Sequence, residues 1–197
     1  RRAQDLDSKY PDILLSLSEP ELKAIGNKYI EDAKIFRTDK PFFIDKMPNN
    51  FRHIGLIKLI LPNAKIIDIR RSSMSACFSS YKQLFAEGQD FTYDLKDLAT
   101  YYNNYVELMD HWNSILPGEI LSLNYEDLIN DFEPSVDRIL DYCNLPFEQS
   151  CLEFYKSKRS VKTPSAEQVR QPIYRSGMDH WKNFEPYLDD LKSNLKY

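Results

Sequence analysis

The chain of 197 residues carries 26 basic and 30 acidic side chains, for a net charge of −4, and 42% of its residues are apolar. This composition is typical of one globular domain with a real core. It lacks both the run of roughly 20 apolar residues that a membrane span needs and the apolar stretch of a signal peptide. Three cysteines cannot all pair, and we therefore expect free thiols and a cytoplasmic location.

The five glycines are far apart, because the closest two lie 29 residues from each other. This spacing excludes both a Walker A loop and a G-x-G-x-x-G turn. A phosphate site in this chain must therefore use helix N-termini and cationic side chains.

The small net charge hides a strong segregation along the chain. Residues 46–82 sum to +6, residues 83–148 to −12 and residues 149–182 to +4. The acidic block is read as a solvated surface. If the fold brings the two basic blocks together, they favour a small anionic ligand over nucleic acid, since a duplex needs a broad basic surface and the isoelectric point is only about 5.5.

In chain order, the first half of the sequence predicts an alternation of strands and helices. The apolar residues 41–44 predict a buried strand, residues 50–61 a helix ended by Pro62, and residues 64–69 a β-branched strand. A second helix follows Arg71. This alternation is typical of a parallel α/β sheet.

The second half continues in the same way. A long helix is predicted over residues 94–116, a third strand over residues 119–123, and a helix that opens near Pro134. The aromatic residues of the long helix are interpreted as core. The polar, proline-interrupted residues 156–176 are predicted to be a loop.

Ligands of open parallel sheets bind beyond the carboxyl ends of the strands. The residues that follow the three predicted strands are Lys46, Arg71 and Tyr125. Ser72 or Ser73 can cap a helix whose N–H groups and dipole favour an anion, and Arg71 adds donors suited to phosphate. The sequence therefore predicts an anion site after the second strand.

Six motifs occur in a fixed series: FIDKMPNN at 43–50, LPNAKII at 61–67, Arg70-Arg71 with Ser79 eight residues beyond Arg71, ILSLNYEDL at 120–128, TPSAEQVRQPIY at 163–174, and His180-Trp181. The series resembles the sulfotransferases, and most of all the bacterial branch often fused to tetratricopeptide repeats, which is similar to the tyrosylprotein sulfotransferases. It covers roughly 70% of the chain.

The resemblance implies transfer of a sulfuryl group from 3′-phosphoadenosine 5′-phosphosulfate (PAPS) to an acceptor hydroxyl or amine, without a metal. It also implies a three-layer, P-loop-kinase-like parallel sheet flanked by helices. By position in the motifs, Arg71 and Ser79 hold the 3′-phosphate, Tyr125 lies beside the adenine or its phosphate, and Ser165 contacts the cofactor. The resemblance also implies that Lys46 stabilises the sulfuryl transition state. His180 stands where relatives have a lysine.

The sequence departs from the family pattern at its start, because no glycine precedes Gly26 and the family's glycine-containing loop for the 5′-phosphosulfate is therefore missing. We expect residues 1–197 to form one incomplete, N-terminally truncated domain, joined to tetratricopeptide repeats in the full-length protein. The acceptor is expected to be a small molecule or a peptide, and no general base is assigned.

Two other functions remain open at this stage. The chain could be a non-catalytic remnant that keeps the nucleotide pocket of the same fold as a binding or interaction module. A nucleotide kinase is disfavoured, because the sequence contains no Gly-Lys-Ser/Thr.

Overall fold

The computed structural model describes residues 9–85, 88–157, 167–173 and 178–197. The chain divides into two compact units, Arg1–Ala64 and Lys65–Tyr197. Within the described ranges, no helix combines the length and the apolar character that crossing a bilayer would require.

The first unit is built on two helices, α1 (Glu19–Ala33) and α2 (Ile54–Ile60). Helix α1 begins after Ser18, whose amide and hydroxyl both donate to the carboxylate of Glu21 at 2.8 and 2.6 Å. Among the described residues of this unit, short 3₁₀ segments lie at Asp12–Ser16, Lys34–Phe36 and Pro48–His53. The helix predicted over residues 50–61 is therefore confirmed, with its first turn wound as 3₁₀.

The second unit contains a parallel pair of strands, β1 (Ile66–Arg70) and β2 (Ile120–Asn124). Ile66 lies opposite Ile120, and Arg70 lies opposite Asn124. The connection between them includes α3 (Ser73–Tyr81), a 3₁₀ turn at Asp90–Tyr93 and α4 (Leu95–Ile115). Two of the three predicted strands, those over residues 64–69 and 119–123, and their parallel direction are confirmed.

The helices that follow β2 are α5 (Tyr125–Asn130), α6 (Phe132–Cys143) and α7 (Asp189–Asn194). Short 3₁₀ segments lie between α6 and α7, at Gln149–Cys151, Phe154–Lys156, Gln168–Arg170 and His180–Tyr187. Helix α6 confirms the prediction of a helix opening near Pro134, whereas the sequence did not predict α5. The loop predicted over residues 156–176 lies largely outside the described residues.

The core of the second unit joins α3 and α4 to the C-terminal segment. Its buried members are Cys77, Phe78, Leu98, Ala99, Leu188 and Leu191, and Tyr102 and Trp181 pack against them. Asn103 of α4 donates to the carbonyl of Asn194 at 2.8 Å and accepts from the amide of Lys196 at 3.0 Å. The last residues of the chain therefore close this core.

One predicted element is wrong. Residues 41–44 form no regular secondary structure and pair with no strand among the described residues, and Phe42 and Ile44 are 66% and 91% exposed. A short apolar run alone does not distinguish a buried strand from other structure, because a strand also needs a neighbour to complete its hydrogen bonds. The described sheet consequently has two strands instead of three. The three-layer P-loop-kinase-like arrangement stays a prediction.

A close approach between α1 and α2 generates a test of the first unit. A Cβ atom on Gly26 would lie 2.0 Å from the carbonyl oxygen of Ile60, and backbone cannot move aside as a flexible side chain can. We expect Gly26→Ala to lower the free energy of unfolding by about 3 kcal/mol, in the upper range for overpacking. Urea denaturation measures the loss.

Gly118→Ala is the matched control. Gly118 has φ +79° and open space around its Cβ position, and we expect this change to cost only about 1 kcal/mol, the strain of a left-handed backbone. Equal losses for the two variants would contradict the close helix contact.

Candidate functional site

The register of the sheet places two predicted binding residues side by side. Arg71 follows β1 and Tyr125 follows β2, directly after the paired residues Arg70 and Asn124. The guanidinium carbon of Arg71 lies over the Tyr125 ring, 5.2 Å from its centroid. This separation is within the range of a cation–π interaction. A cation and an aromatic face, the groups that suit a phosphate and a purine, therefore meet at this edge.

The next residues along the chain, Ser72 and Glu126, also contact each other. The backbone amide of Ser72, the N-cap of α3, donates to Oε1 of Glu126 at 3.0 Å. A carboxylate at a helix N-terminus is stabilised by the unsatisfied amides and by the helix dipole. Glu126 therefore fixes the start of α3 against the start of α5, and Arg71 directly precedes the N-cap of α3 in sequence.

A tyrosine of α4 contacts the backbone of Arg71, between β1 and α3. The hydroxyl of Tyr102 donates to the carbonyl oxygen of Arg71 at 2.9 Å. Burial is the main reason that the pKa of Tyr102 rises to about 12, and the hydroxyl remains a donor at neutral pH. The predicted core role of this aromatic residue is confirmed, and the structure adds a polar role that the sequence did not show.

Ser79 lies exposed on α3. A residue seven positions beyond the N-cap returns to the same side of an α-helix, about 10 Å along its axis. The hydroxyl of Ser79 is therefore on the side of α3 where Ser72 begins the helix. Ser165, the remaining residue predicted to contact the cofactor, lies outside the described residues.

His180 lies against α3 at a distance from this turn in sequence. Its Nδ1 is 2.7 Å from Nζ of Lys82, and its ring is near those of Phe78 and Phe184. His180 thus accepts a hydrogen bond from Lys82, the C-cap residue of α3.

Lys46 belongs to the first unit, where it lies exposed just before the 3₁₀ turn Pro48–His53. It lines an open cleft of about 370 Å³ together with seven other residues: Tyr29, Asp32, Ala33, Phe36, Phe43, Ile44 and Asp45. The lysine is therefore at the rim of a concave, largely apolar surface.

Asp45, next to Lys46 in sequence, is held by two neighbours. Tyr29 of α1 donates its hydroxyl to Oδ2 at 2.5 Å, and the amide of Asn50 lies 3.5 Å from Oδ1. Burial, and then the hydrogen bond to Asp45, raises the pKa of Tyr29 to about 12. The hydrogen bond from Tyr29 to Asp45 ties the Lys46 segment to α1.

Comparison with known proteins assigns these features to one family. The sequence profile of the sulfotransferase family matches residues 3–149. The chain belongs to the sulfotransferase family. An uncharacterized protein of Aquifex aeolicus (strain VF5) is 37% identical to it over 183 residues, which are 91% of this chain and 24% of that protein. The chain thus spans about a quarter of the length of this curated relative.

A solved structure agrees with the family assignment. The sulfotransferase domain from the curacin biosynthetic pathway matches with a TM-score of 0.60 and 19% identity, over 86% of this chain and 66% of that domain. At this identity the match shows the fold alone. The chain is therefore a helix-rich α/β protein with a small parallel sheet, similar in fold to a sulfotransferase domain.

Two features of this sulfotransferase-family chain escaped the sequence interpretation. From the sequence, Glu126 is only a member of the ILSLNYEDL motif, and Tyr102 is only one of the aromatic residues of the predicted long helix. The signal for Glu126 was its place after Tyr125, because in-register parallel strands bring positions 72 and 126 together as well as 71 and 125. No sequence signal marked the contact of Tyr102 with a backbone carbonyl.

In the described part of the chain, the cysteines and the acidic residues form neither a reactive thiol site nor a metal site. All three cysteines are free, and burial raises the pKa of Cys77 to about 12, which keeps its thiol protonated and a poor nucleophile. Within the described ranges, no group of three or more potential ligands among His, Cys, Asp and Glu could hold a metal ion.

Beneath the Arg71 turn, β1 and α4 share a half-buried polar network. The hydroxyl of Tyr105 donates to Asp68 Oδ1 at 2.5 Å, and Arg70 lies 3.4 Å from both the Tyr105 hydroxyl and Asp68 Oδ2. Burial, and then the hydrogen bond to Asp68, raises the pKa of Tyr105 above its usual value near 10. The network fixes β1 on α4 immediately before the site.

The raised pKa values of Tyr102 and Tyr105 predict a loss of stability at high pH. The unfolded chain releases these phenolic protons near pH 10, whereas the folded chain keeps that of Tyr102 to about pH 12. The free energy of unfolding should therefore fall from pH 10 to 12, by up to about 1.4 kcal/mol per pH unit for each tyrosine. Denaturation at a series of pH values measures this slope.

Tyr105→Phe should make the slope shallower than in the wild type. Tyr187→Phe is the control, because Tyr187 is 79% exposed and its replacement should leave the slope unchanged. A slope that is the same in all three proteins would contradict the role of the buried hydroxyls.

Proposed function

We propose that the chain is part of a PAPS-dependent sulfotransferase that transfers a sulfuryl group to an acceptor hydroxyl or amine. The observation that carries the proposal is the contact of Arg71 with the Tyr125 ring at the paired strand ends. These residue types fit the donor, since a guanidinium suits a phosphate and an aromatic ring suits a purine. The family assignment supports the same chemistry.

Each residue has a distinct role in this proposal. Because Glu126 already accepts from the Ser72 amide, the 3′-phosphate would be bound by the side chains of Arg71 and Ser79. Tyr125 would bind the adenine or its phosphate through its ring. Ser165 would contact the same nucleotide from the C-terminal region.

The proposed role of Lys46 follows from the charge of the transition state. The acceptor oxygen or nitrogen forms a bond to sulfur while the bond from sulfur to the 5′-phosphate oxygen breaks. The electron pair of that bond leaves with adenosine 3′,5′-bisphosphate, and the acceptor proton goes to solvent. A fixed ammonium stabilises the negative charge that develops on the oxygens, and the exposed Lys46 in its cleft would supply it.

The nucleotide site is tested by binding. We expect calorimetry to show that the chain binds adenosine 3′,5′-bisphosphate and that Arg71→Ala weakens binding about thirty-fold or more, the cost of losing hydrogen bonds to a charged group. Arg138→Ala, at an exposed position of α6, is the matched control and should bind as the wild type does. Equal binding by both variants would contradict the site.

The catalytic role of Lys46 is tested by turnover in the full-length protein, with labelled PAPS and a panel of phenols, sugars, aliphatic alcohols, amines and tyrosine peptides. We expect Lys46→Ala to lower the turnover number about 100-fold or more, as removal of one charge-stabilising group does. Lys40→Ala, a neighbouring exposed lysine outside the cleft, should retain activity. Full turnover by Lys46→Ala would refute the role.

The same assay separates the enzyme from the non-catalytic alternative. A full-length protein that binds the bisphosphate but transfers sulfuryl to no member of the panel would favour a nucleotide-binding or interaction module. The fusion to tetratricopeptide repeats, the truncation and the cytoplasmic location are further proposals, and the coding sequence upstream of residue 1 tests the first two.

A further inference from the structure

We propose that Tyr102 and Glu126 are positioning residues of the nucleotide site, because together they hold the peptide group that joins Arg71 to Ser72. This inference rests on the proposed function, in which the side chain of Arg71 binds the 3′-phosphate of PAPS. It concerns the second unit alone, since all four residues belong to Lys65–Tyr197.

The two side chains bond to opposite ends of one peptide group. The hydroxyl of Tyr102 donates to the carbonyl oxygen of Arg71 at 2.9 Å, and Oε1 of Glu126 accepts from the amide of Ser72 at 3.0 Å. This oxygen and this amide belong to the same planar unit and point in opposite directions when the peptide is trans. Together the two hydrogen bonds therefore fix the peptide plane, whereas one bond alone would leave it free to tilt.

A fixed peptide plane determines the direction in which the Arg71 side chain leaves the backbone. The chain turns about only two backbone bonds per residue, and any tilt of this plane changes ψ of Arg71 and φ of Ser72. Ser72 is the N-cap of α3, with φ −52°, and Arg71 follows the last paired residue of β1. Holding the plane therefore keeps Arg71 directed toward the ring of Tyr125.

Such order matters for an arginine that binds a phosphate. Its long side chain has many rotamers, and restricting them costs free energy when a ligand binds. The fixed peptide and the contact of the Arg71 guanidinium with the Tyr125 ring, at 5.2 Å from its centroid, restrict these rotamers before the nucleotide binds. Tyr102 and Glu126 would thus raise the affinity for the 3′-phosphate through Arg71.

The two positioning residues belong to separate elements, and each element has its own anchor. Tyr102, on α4, packs against the buried core. Burial is the main reason that its pKa rises to about 12, and its hydroxyl therefore remains a donor at neutral pH. Glu126 is the second residue of α5, a helix anchored by the buried Ile129. The peptide group is thus bonded both to the core and to the helix that follows β2.

Two nucleotides that differ only in the 3′-phosphate test the proposal. Calorimetry on the full-length protein compares adenosine 3′,5′-bisphosphate with adenosine 5′-monophosphate. We expect Tyr102→Phe, which keeps the ring and removes the hydroxyl, to weaken bisphosphate binding about five-fold, the usual effect of losing one hydrogen bond, and to leave monophosphate binding unchanged. Weaker binding of both nucleotides, or of neither, would overturn the inference.

Tyr142→Phe is the matched control, because Tyr142 makes the same kind of bond at the other end of the strands. Its hydroxyl donates to the carbonyl oxygen of Glu119 at 2.6 Å, directly before β2. That end lies about 13 Å from the last paired residues, at about 3.3 Å per residue. Both nucleotides should bind to this variant as they do to the wild type. A loss of bisphosphate affinity equal to that of Tyr102→Phe would indicate a general loosening of the sheet and contradict the proposal.

A double substitution tests whether Tyr102 acts through Arg71. In the Arg71→Ala background, the further change Tyr102→Phe should not weaken bisphosphate binding again, because the side chain that the hydroxyl positions is absent. Residues that act through one another give such non-additive effects, whereas independent residues give losses that add. Additive losses would overturn the positioning role of Tyr102.

Glu126 is tested with two replacements that both remove its charge. Glu126→Gln keeps an oxygen that can accept from the Ser72 amide, and Glu126→Ala does not. We expect the bisphosphate to bind about five-fold more weakly to Glu126→Ala than to Glu126→Gln, with equal monophosphate binding, because the variants differ in this one hydrogen bond. Equal bisphosphate affinities would contradict the role of Glu126.

Failure of this inference is distinguishable from failure of the proposed function. Bisphosphate binding that depends on Arg71 but not on Tyr102 or Glu126 would overturn only the positioning role. Absence of both bisphosphate binding and sulfuryl transfer in the wild type would refute the proposed function itself.

Discussion

The parallel, in-register pairing of β1 and β2 is the constraint on which the site of the second unit depends. Because Arg70 lies opposite Asn124, the residues that follow the two strands leave the sheet at the same level. Arg71 then contacts Tyr125, and the amide of Ser72 contacts Glu126. A shift of the register by one residue would turn the following side chains to the opposite faces and separate both pairs. The candidate site thus consists of two contacts that follow the last paired residues of the sheet.

Helix α4 supports this edge with two tyrosines, one turn apart, that approach β1 from the same side. Tyr105 donates to Asp68 within the strand, and Tyr102 donates to the carbonyl of Arg71 just beyond it. Buried polar groups are costly unless they are paired, and these bonds therefore specify where the helix lies along the strand. The apolar core fills the space between helices, whereas the tyrosines determine the position of the Arg71 turn.

Sequence reasoning predicted three strands, and two of them occur among the described residues. The rule that ligands bind beyond parallel strands pointed to Arg71 and Tyr125, which the structure brings into contact after these two strands. The same rule placed Lys46 after a strand that does not occur among the described residues. Lys46 nevertheless lines a cleft of the first unit.

The sequence by itself determined the family, through motifs that the profile match later confirmed, and it determined the strand–helix order around Arg71 and Tyr125. Local periodicity and capping residues carry that information, because they act over a few neighbouring positions. The tertiary structure alone decided that Glu126 caps α3, that Tyr102 binds the Arg71 carbonyl, and that Tyr29 holds Asp45 beside Lys46. These contacts join residues 16 to 54 positions apart, and only the packing of helices on the sheet and on one another brings such residues within hydrogen-bonding distance.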